Sequence, residues 1–238
     1  MIDFLDSKFW GFRFEALYEW TMILPVVAGL FAFSRHTSIQ RKLFFYCVAA
    51  IIFEYFSQMR WAIDQFEPRS NAPYYHFFTP ALFILFVFIY QKFLRDTFSR
   101  RVDIWLIALF VLFSIWNAGF GDGLFHFPGL SLGLYAFLMM SLAIGYFLRL
   151  MTTLELERLE KEPVFWINSG VLIYFSGNFL LWLTMNYLLK DYSLSFSIYK
   201  ISVILGFCLN IFFTIAFVCH PKVVLPIPVS KKTPHGNE

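Results

Sequence analysis

The chain has 238 residues, of which 59% are hydrophobic and 22% aromatic while only 15% are charged, far below the roughly 25% charged of a water-soluble domain. With a mean hydropathy of +0.63, this composition excludes a soluble globular protein and describes a single polytopic membrane domain. The net charge of +3 comes without any basic stripe, which excludes a nucleic-acid footprint and suits loops that meet anionic lipid.

Residues 1–14 place Asp3, Asp6, Lys8 and Arg13 among aromatic residues. They lack the basic start, apolar centre and small-residue cleavage site of a signal peptide, so the first span itself is expected to direct insertion. The spacing of apolar runs then predicts an all-α membrane protein, a bundle of seven transmembrane helices over residues 15–220. The spans are about 16–34, 43–61, 73–94, 102–118, 128–149, 163–189 and 195–219, each near the ~20 residues that cross a hydrocarbon core. Pro25 is expected to kink the first span. Residues 62–72 read as a water-exposed connection, and Ser141 with Gly145, four apart, as a point of close helix approach. Residues 151–162 form an amphipathic stretch at the membrane surface, and 221–238 read as a disordered tail. Of the nineteen Lys and Arg residues, thirteen fall in the 1–2, 3–4 and 5–6 connections and the tail. The excess of basic residues on the inner side predicts an outer N-terminus and a cytoplasmic C-terminus.

The sixth span, Pro163 to Leu189, is the most informative stretch. Asn168, Ser169, Ser176, Asn178, Thr184 and Asn186 interrupt an aromatic and aliphatic run, and each needs a hydrogen-bond partner inside protein. Asn168, Phe175 and Trp182 recur every seven residues and Asn178, Trp182 and Asn186 every four, so one broad face points inward. Ionisable groups at membrane depth are expensive to bury and mark functional sites, and Glu54 and Lys200 are the candidates. With Gln58, His76, Asn178, Trp182 and Asn186 they are expected to line one outward-facing pocket. Asn168 and Asn210, in the inner half, are the residues through which a polar path would continue. The competing reading treats the same groups as interhelical hydrogen-bond partners, with Lys200 reaching outward to water.

Gly119-Phe120-Gly121-Asp122 matches the GxGD pattern of intramembrane aspartyl proteases, but Asp122 falls in a loop and no span supplies the second Asp that such chemistry requires. Lys200 in a seventh helix resembles the retinal lysine of rhodopsins, yet it lies only about 7 to 8 Å into its helix by the rise per residue. No HExxH, P-loop, nucleophile elbow or Cys/His cluster occurs, which disfavours an enzyme or a metal site and leaves no cofactor implied. Cys47, Cys208 and Cys219 all lie in or beside spans, so no disulfide framework is expected.

The segment Glu162-Pro163-Val164-Phe165-Trp166-Ile167-Asn168-Ser169-Gly170-Val171-Leu172-Ile173-Tyr174-Phe175-Ser176-Gly177-Asn178 resembles one in uncharacterised seven-helix membrane proteins of Bacteroidetes-type bacteria. Such regions are similar to the membrane half of some sensor histidine kinases. The chain departs from those kinases in carrying no dimerisation helix, phosphoacceptor histidine or ATP-binding domain after Cys219. The resemblance implies a bacterial inner-membrane sensor-like or accessory module that binds a small or lipid-derived ligand. Its output would pass to a separate partner through residues 151–162. A transporter or channel and a structural membrane subunit are the alternatives; no internal repeat or ring of charge favours a channel.

Overall fold

The computed structural model describes residues 7–31, 33–58, 71–99, 101–153, 156–188 and 192–219, with side chains described except at 7–17, 19, 58, 152–153, 156–158 and 192–199. Among them are seven α-helices and no strand. In chain order these are α1 (Ser7–Phe31), α2 (Ser38–Gln58), α3 (Ala72–Thr97), α4 (Val102–Phe120), α5 (Gly129–Thr153), α6 (Pro163–Leu188) and α7 (Tyr192–Val218). Five stretches are long and apolar enough to cross a membrane, namely Ala72–Thr97, Val102–Phe120, Gly129–Met151, Pro163–Leu188 and Lys200–Val218. In α2 the charges of Arg41, Lys42 and Glu54 shorten the uninterrupted apolar run, and in α1 that run is Trp20–Phe31. The expected connection at 62–72 lies outside the described residues up to 70, and the expected tail at 221–238 does so entirely. α1 reaches back to Ser7, so residues 7–14 continue the first helix instead of standing apart from it.

Local chemistry sets the helix ends. Pro73 occupies the first turn of α3 and Pro163 begins α6, where a missing N–H costs nothing because no intrahelical acceptor is available. α4 stops at Gly121, whose N–H reaches the Asn117 carbonyl, and the chain reverses through Gly123 with φ at +89°, a backbone state that glycine adopts without penalty. Pro25 sits inside α1 and removes the N–H that the Thr21 carbonyl would otherwise receive.

Helices consecutive in the chain run antiparallel, while α1 and α7 run parallel, with Tyr18 beside Gly206 and Gly29 beside Phe217, and cross-helix bonds tie the helix ends together. At one end Gln40 Nε2 donates to the Ala216 and Cys219 carbonyls at 2.8 and 3.0 Å, and Lys42 Nζ donates to the Phe88 carbonyl at 2.8 Å. This end also holds Arg35, Lys92, Arg101, Arg149 and Lys161, and is called the basic end below. Its best-buried ion pair joins Arg95 Nη2 to Asp103 Oδ2 at 2.8 Å, supported by Gln91 Nε2 at 2.9 Å. A buried carboxylate is tolerable only when paired and hydrogen-bonded in this way, and it pins the start of α4 to α3. The opposite end carries the 121–128 turn.

α6 is the central packing element, lying against α5 on one side and α7 on the other, while α7 also packs on α1. The α1–α2–α3–α5–α6–α7 ring is thereby closed, and α4 lies outside it against α3 and α5. Its outer face is exposed and apolar, with Ile104, Trp105, Leu109, Leu112 and Ile115, as a lipid-facing helix requires. The core is aromatic: Phe83, Phe86, Phe110, Phe175, Phe213 and Phe217 are fully buried. The close approach expected at Ser141 and Gly145 is found only in part. Gly145 faces the Phe93 ring, but Ser141 is exposed and returns its hydroxyl to the Phe137 carbonyl at 2.8 Å. A tight α5–α6 backbone approach lies at the other end, where a Cβ on Gly129 would come within 2.6 Å of the Trp182 carbonyl oxygen.

Candidate functional site

Between α1, α2, α3, α5, α6 and α7 lies a cavity of about 220 Å³. It is larger than the roughly 150 Å³ that suffices for a benzene ring in an apolar protein interior. Its wall is rich in aromatic residues, with Tyr18, Phe53, Tyr75, Phe78 and Trp182 toward the 121–128 turn and Tyr46, Tyr135, Phe175 and Phe213 deeper in. Glu54 is the one carboxylate among the described wall residues, and no Lys, Arg or His is among them. Helix geometry spreads these groups along the axis: Glu54 lies eight residues beyond Tyr46, about 12 Å along α2.

Toward the basic end the cavity stops at a floor of interlocked rings. The Phe86 ring meets Tyr46 edge-on at 4.6 Å between centroids, and lies 6.4 and 6.5 Å from Phe213 and Phe175. Below that floor Tyr90 donates its hydroxyl to Asn168 Oδ1 at 2.5 Å, and Asn168 Nδ2 returns to its own helix at the Val164 carbonyl. Asn168 is thus fully buried and satisfied. It does not belong to the cavity, and it does not join Asn210 in a polar path.

The sequence-derived candidates separate into three groups. Glu54, Trp182 and Asn210 belong to the cavity wall. Glu54 is half-buried, with its carbonyl accepting from Ser57 Oγ at 2.9 Å. Asn210, expected in the inner half, donates to Thr21 Oγ1 on α1 at 3.3 Å. Asn178 stands one step behind the wall, where its Oδ1 accepts from Ser202 Oγ at 2.6 Å and its Nδ2 donates to the Tyr174 carbonyl. It ties α6 to α7. Lys200 is half-buried and takes no part in the wall, so the retinal-lysine arrangement finds no chamber around it. The side chain of Gln58 lies outside the described residues.

His76 and Asn186 form the third group, a polar cluster at the 121–128 turn. Its hub is Asp122, which the sequence reading treated as a plain turn residue. Asp122 accepts from Asn117 Nδ2 at 2.9 Å, from the Leu130 N–H at 2.9 Å and from Asn186 Nδ2 at 3.0 Å. Its own N–H donates to Asn117 Oδ1 at 3.0 Å. Capping the first turn of α5 with a carboxylate satisfies an orphan donor and opposes the helix dipole favourably. Asn186 also donates to the Phe127 carbonyl at 2.7 Å. His76 Nε2 lies 3.0 and 3.2 Å from the Gly123 and His126 carbonyls; with two acceptors facing it, that nitrogen carries the proton. The cluster therefore fixes the turn that delivers Phe127 to the cavity. Asp122, the residue of the GxGD pattern, is thus engaged with the turn and the start of α5.

Two wall residues escaped the sequence reading. Tyr46 and Tyr135 sit in predominantly apolar runs, and only their meeting across α2 and α5 gives them a role. The Tyr135 hydroxyl is buried and without a hydrogen bond, although the Tyr46 phenol approaches it. Comparison with known proteins adds nothing to this geometry, because no family model, no curated protein and no solved structure matches the chain.

Proposed function

We propose that the chain is a multi-pass bacterial inner-membrane protein that holds a small, lipid-derived ligand in this cavity and serves as a sensor-like or accessory signalling module. The supporting observation is the cavity itself, an aromatic chamber inside a ring of helices, closed at the basic end and carrying one carboxylate nearer the other. All seven helices cross the bilayer on this reading, α1 and α2 being accommodated by their neighbours. The clustering of basic side chains at one end supports a cytoplasmic position for that end and an outer position for the 121–128 turn. The cavity then faces the outer half of the membrane.

Relay through a partner is assigned to residues 151–162 at the cytoplasmic surface. The Leu156–Lys161 turn is docked on the bundle, since the Glu160 carbonyl accepts from Trp166 Nε1 at 2.7 Å and lies 3.6 Å from Cys219 Sγ. Motion of α6 or α7 would therefore move this turn. A transporter reading is less well supported, because substrate would have to part the Tyr46–Phe86–Phe213 floor.

Native mass spectrometry of the protein gently extracted from its host membrane tests the proposal. A retained small molecule and a co-purifying signalling protein are expected. Ala50→Trp, which fills the cavity, should release the molecule, and Glu54→Gln should alter the response to ligand without changing abundance. Equal loss of folding and response in Glu54→Gln would assign that residue to packing instead.

A further inference from the structure

Building on the ligand-binding reading above, we infer that the occupant is a neutral, flat ring system bearing a carbonyl oxygen, of the quinone kind, hydrogen-bonded at its inner edge by Tyr135. Four observations converge on that class. First, the Tyr135 hydroxyl is buried with no hydrogen bond, and Tyr135 is only 4% exposed. An unmet phenolic donor in an apolar interior is costly, and a ligand acceptor would remove the cost. Second, the ring that carries it is held in place. Phe175 meets it edge-on at 4.9 Å and Phe83 at 5.7 Å, with Phe110 at 6.1 Å. The ring is thus pre-set, with the Tyr46 phenol beside its hydroxyl as the group a ligand oxygen would compete with.

Third, the wall offers aromatic faces and edges to a flat guest, the geometry in which π-systems pair favourably. Fourth, its charge argues against the commonest lipid headgroups. With no Lys, Arg or His among the described wall residues and Glu54 as their carboxylate, a carboxylate or phosphate would be desolvated with no opposite charge to pair it. A quinone carbonyl carries no net charge and accepts a hydrogen bond in the plane of its ring. The cavity of about 220 Å³ suits a single substituted ring, whereas the roughly 150 Å³ that admits benzene would be too small for it. An attached chain would leave past Met185 and Phe127, which belong to the same wall.

The test uses the full chain in lipid nanodiscs, titrated with a benzoquinone carrying one isoprenoid unit, with naphthalene, and with decanoic acid, against protein-free nanodiscs. Quinone binding should exceed that of decanoic acid and weaken about three- to tenfold in Tyr135→Phe, the range expected for one lost hydrogen bond. Naphthalene, which has no acceptor, should bind equally to both forms. Ala50→Trp and, should that variant fold poorly, Val203→Trp should abolish all protein-specific binding. Unchanged quinone affinity in Tyr135→Phe overturns the assigned hydrogen bond. Naphthalene or decanoic acid binding that Ala50→Trp removes, with no quinone binding, overturns the quinone class and leaves the cavity reading intact. Absence of binding by every probe, or binding that survives both filling variants, overturns the two together.

Discussion

Single residues in this protein are read correctly only through their partners. Asp122 looks like an ordinary acid beside glycines, yet its carboxylate receives the Asn117 amide, the Asn186 amide and the Leu130 N–H. Asp122→Ala should leave those donors unmet at a cost of about 1–3 kcal/mol, visible as a lowered thermal midpoint in detergent. Asp122→Asn, which keeps one acceptor oxygen, should lose less. An unshifted midpoint for Asp122→Ala would show that the turn is held by its backbone alone. The hydroxyls of the sixth span teach the converse lesson. Ser169, Ser176 and Thr184 were expected to need partners inside protein, and each finds one in a carbonyl of its own preceding turn. A hydroxyl can satisfy itself in this way and face lipid. An asparagine carries both a donor and an acceptor that outreach its own turn, which is why Asn168, Asn178 and Asn186 each tie α6 to a different element.

At the scale of the element, periodicity revealed the inward face of α6, because Asn168, Phe175, Asn178 and Trp182 are all buried. What periodicity could not reveal is which neighbour each residue meets. His76 and Glu54 share an end of the bundle but not a site, since the 121–128 turn captures His76 while α2 keeps Glu54 at the cavity. Helix contacts also depend on glycine positions that read alike in the sequence. A Cβ at Gly129 meets a backbone oxygen of α6 at 2.6 Å, whereas one at Gly119 meets nothing within 4 Å. Gly129→Ala should therefore force α5 and α6 apart and cost about 1–3 kcal/mol, as overpacking does. Gly119→Ala, within α4, should be neutral or slightly stabilising, since alanine is the better helix former. Thermal unfolding of the two variants side by side checks the pair, and equal midpoints would refute the assigned contact.

For the whole molecule, composition alone was enough to place the chain among multi-pass helical membrane proteins, and the five apolar helices bear this out. The crossing of α1 and α2 and the orientation rest on charge placement, so they call for a labelling experiment. In a background free of Cys47, Cys208 and Cys219, Phe125→Cys should react with an impermeant maleimide on intact cells. Ser99→Cys should react only after permeabilisation, and the reverse pattern would invert the proposed topology. The aromatic floor, finally, makes the chamber a blind one. On the proposed topology, whatever occupies it would exchange with a single leaflet and be indifferent to the same compound in the other. Under the proposed ligand-binding role, occupancy would follow the activity of the ligand in that leaflet alone, and a compound delivered from the opposite face would be detected only as fast as it flips across the bilayer.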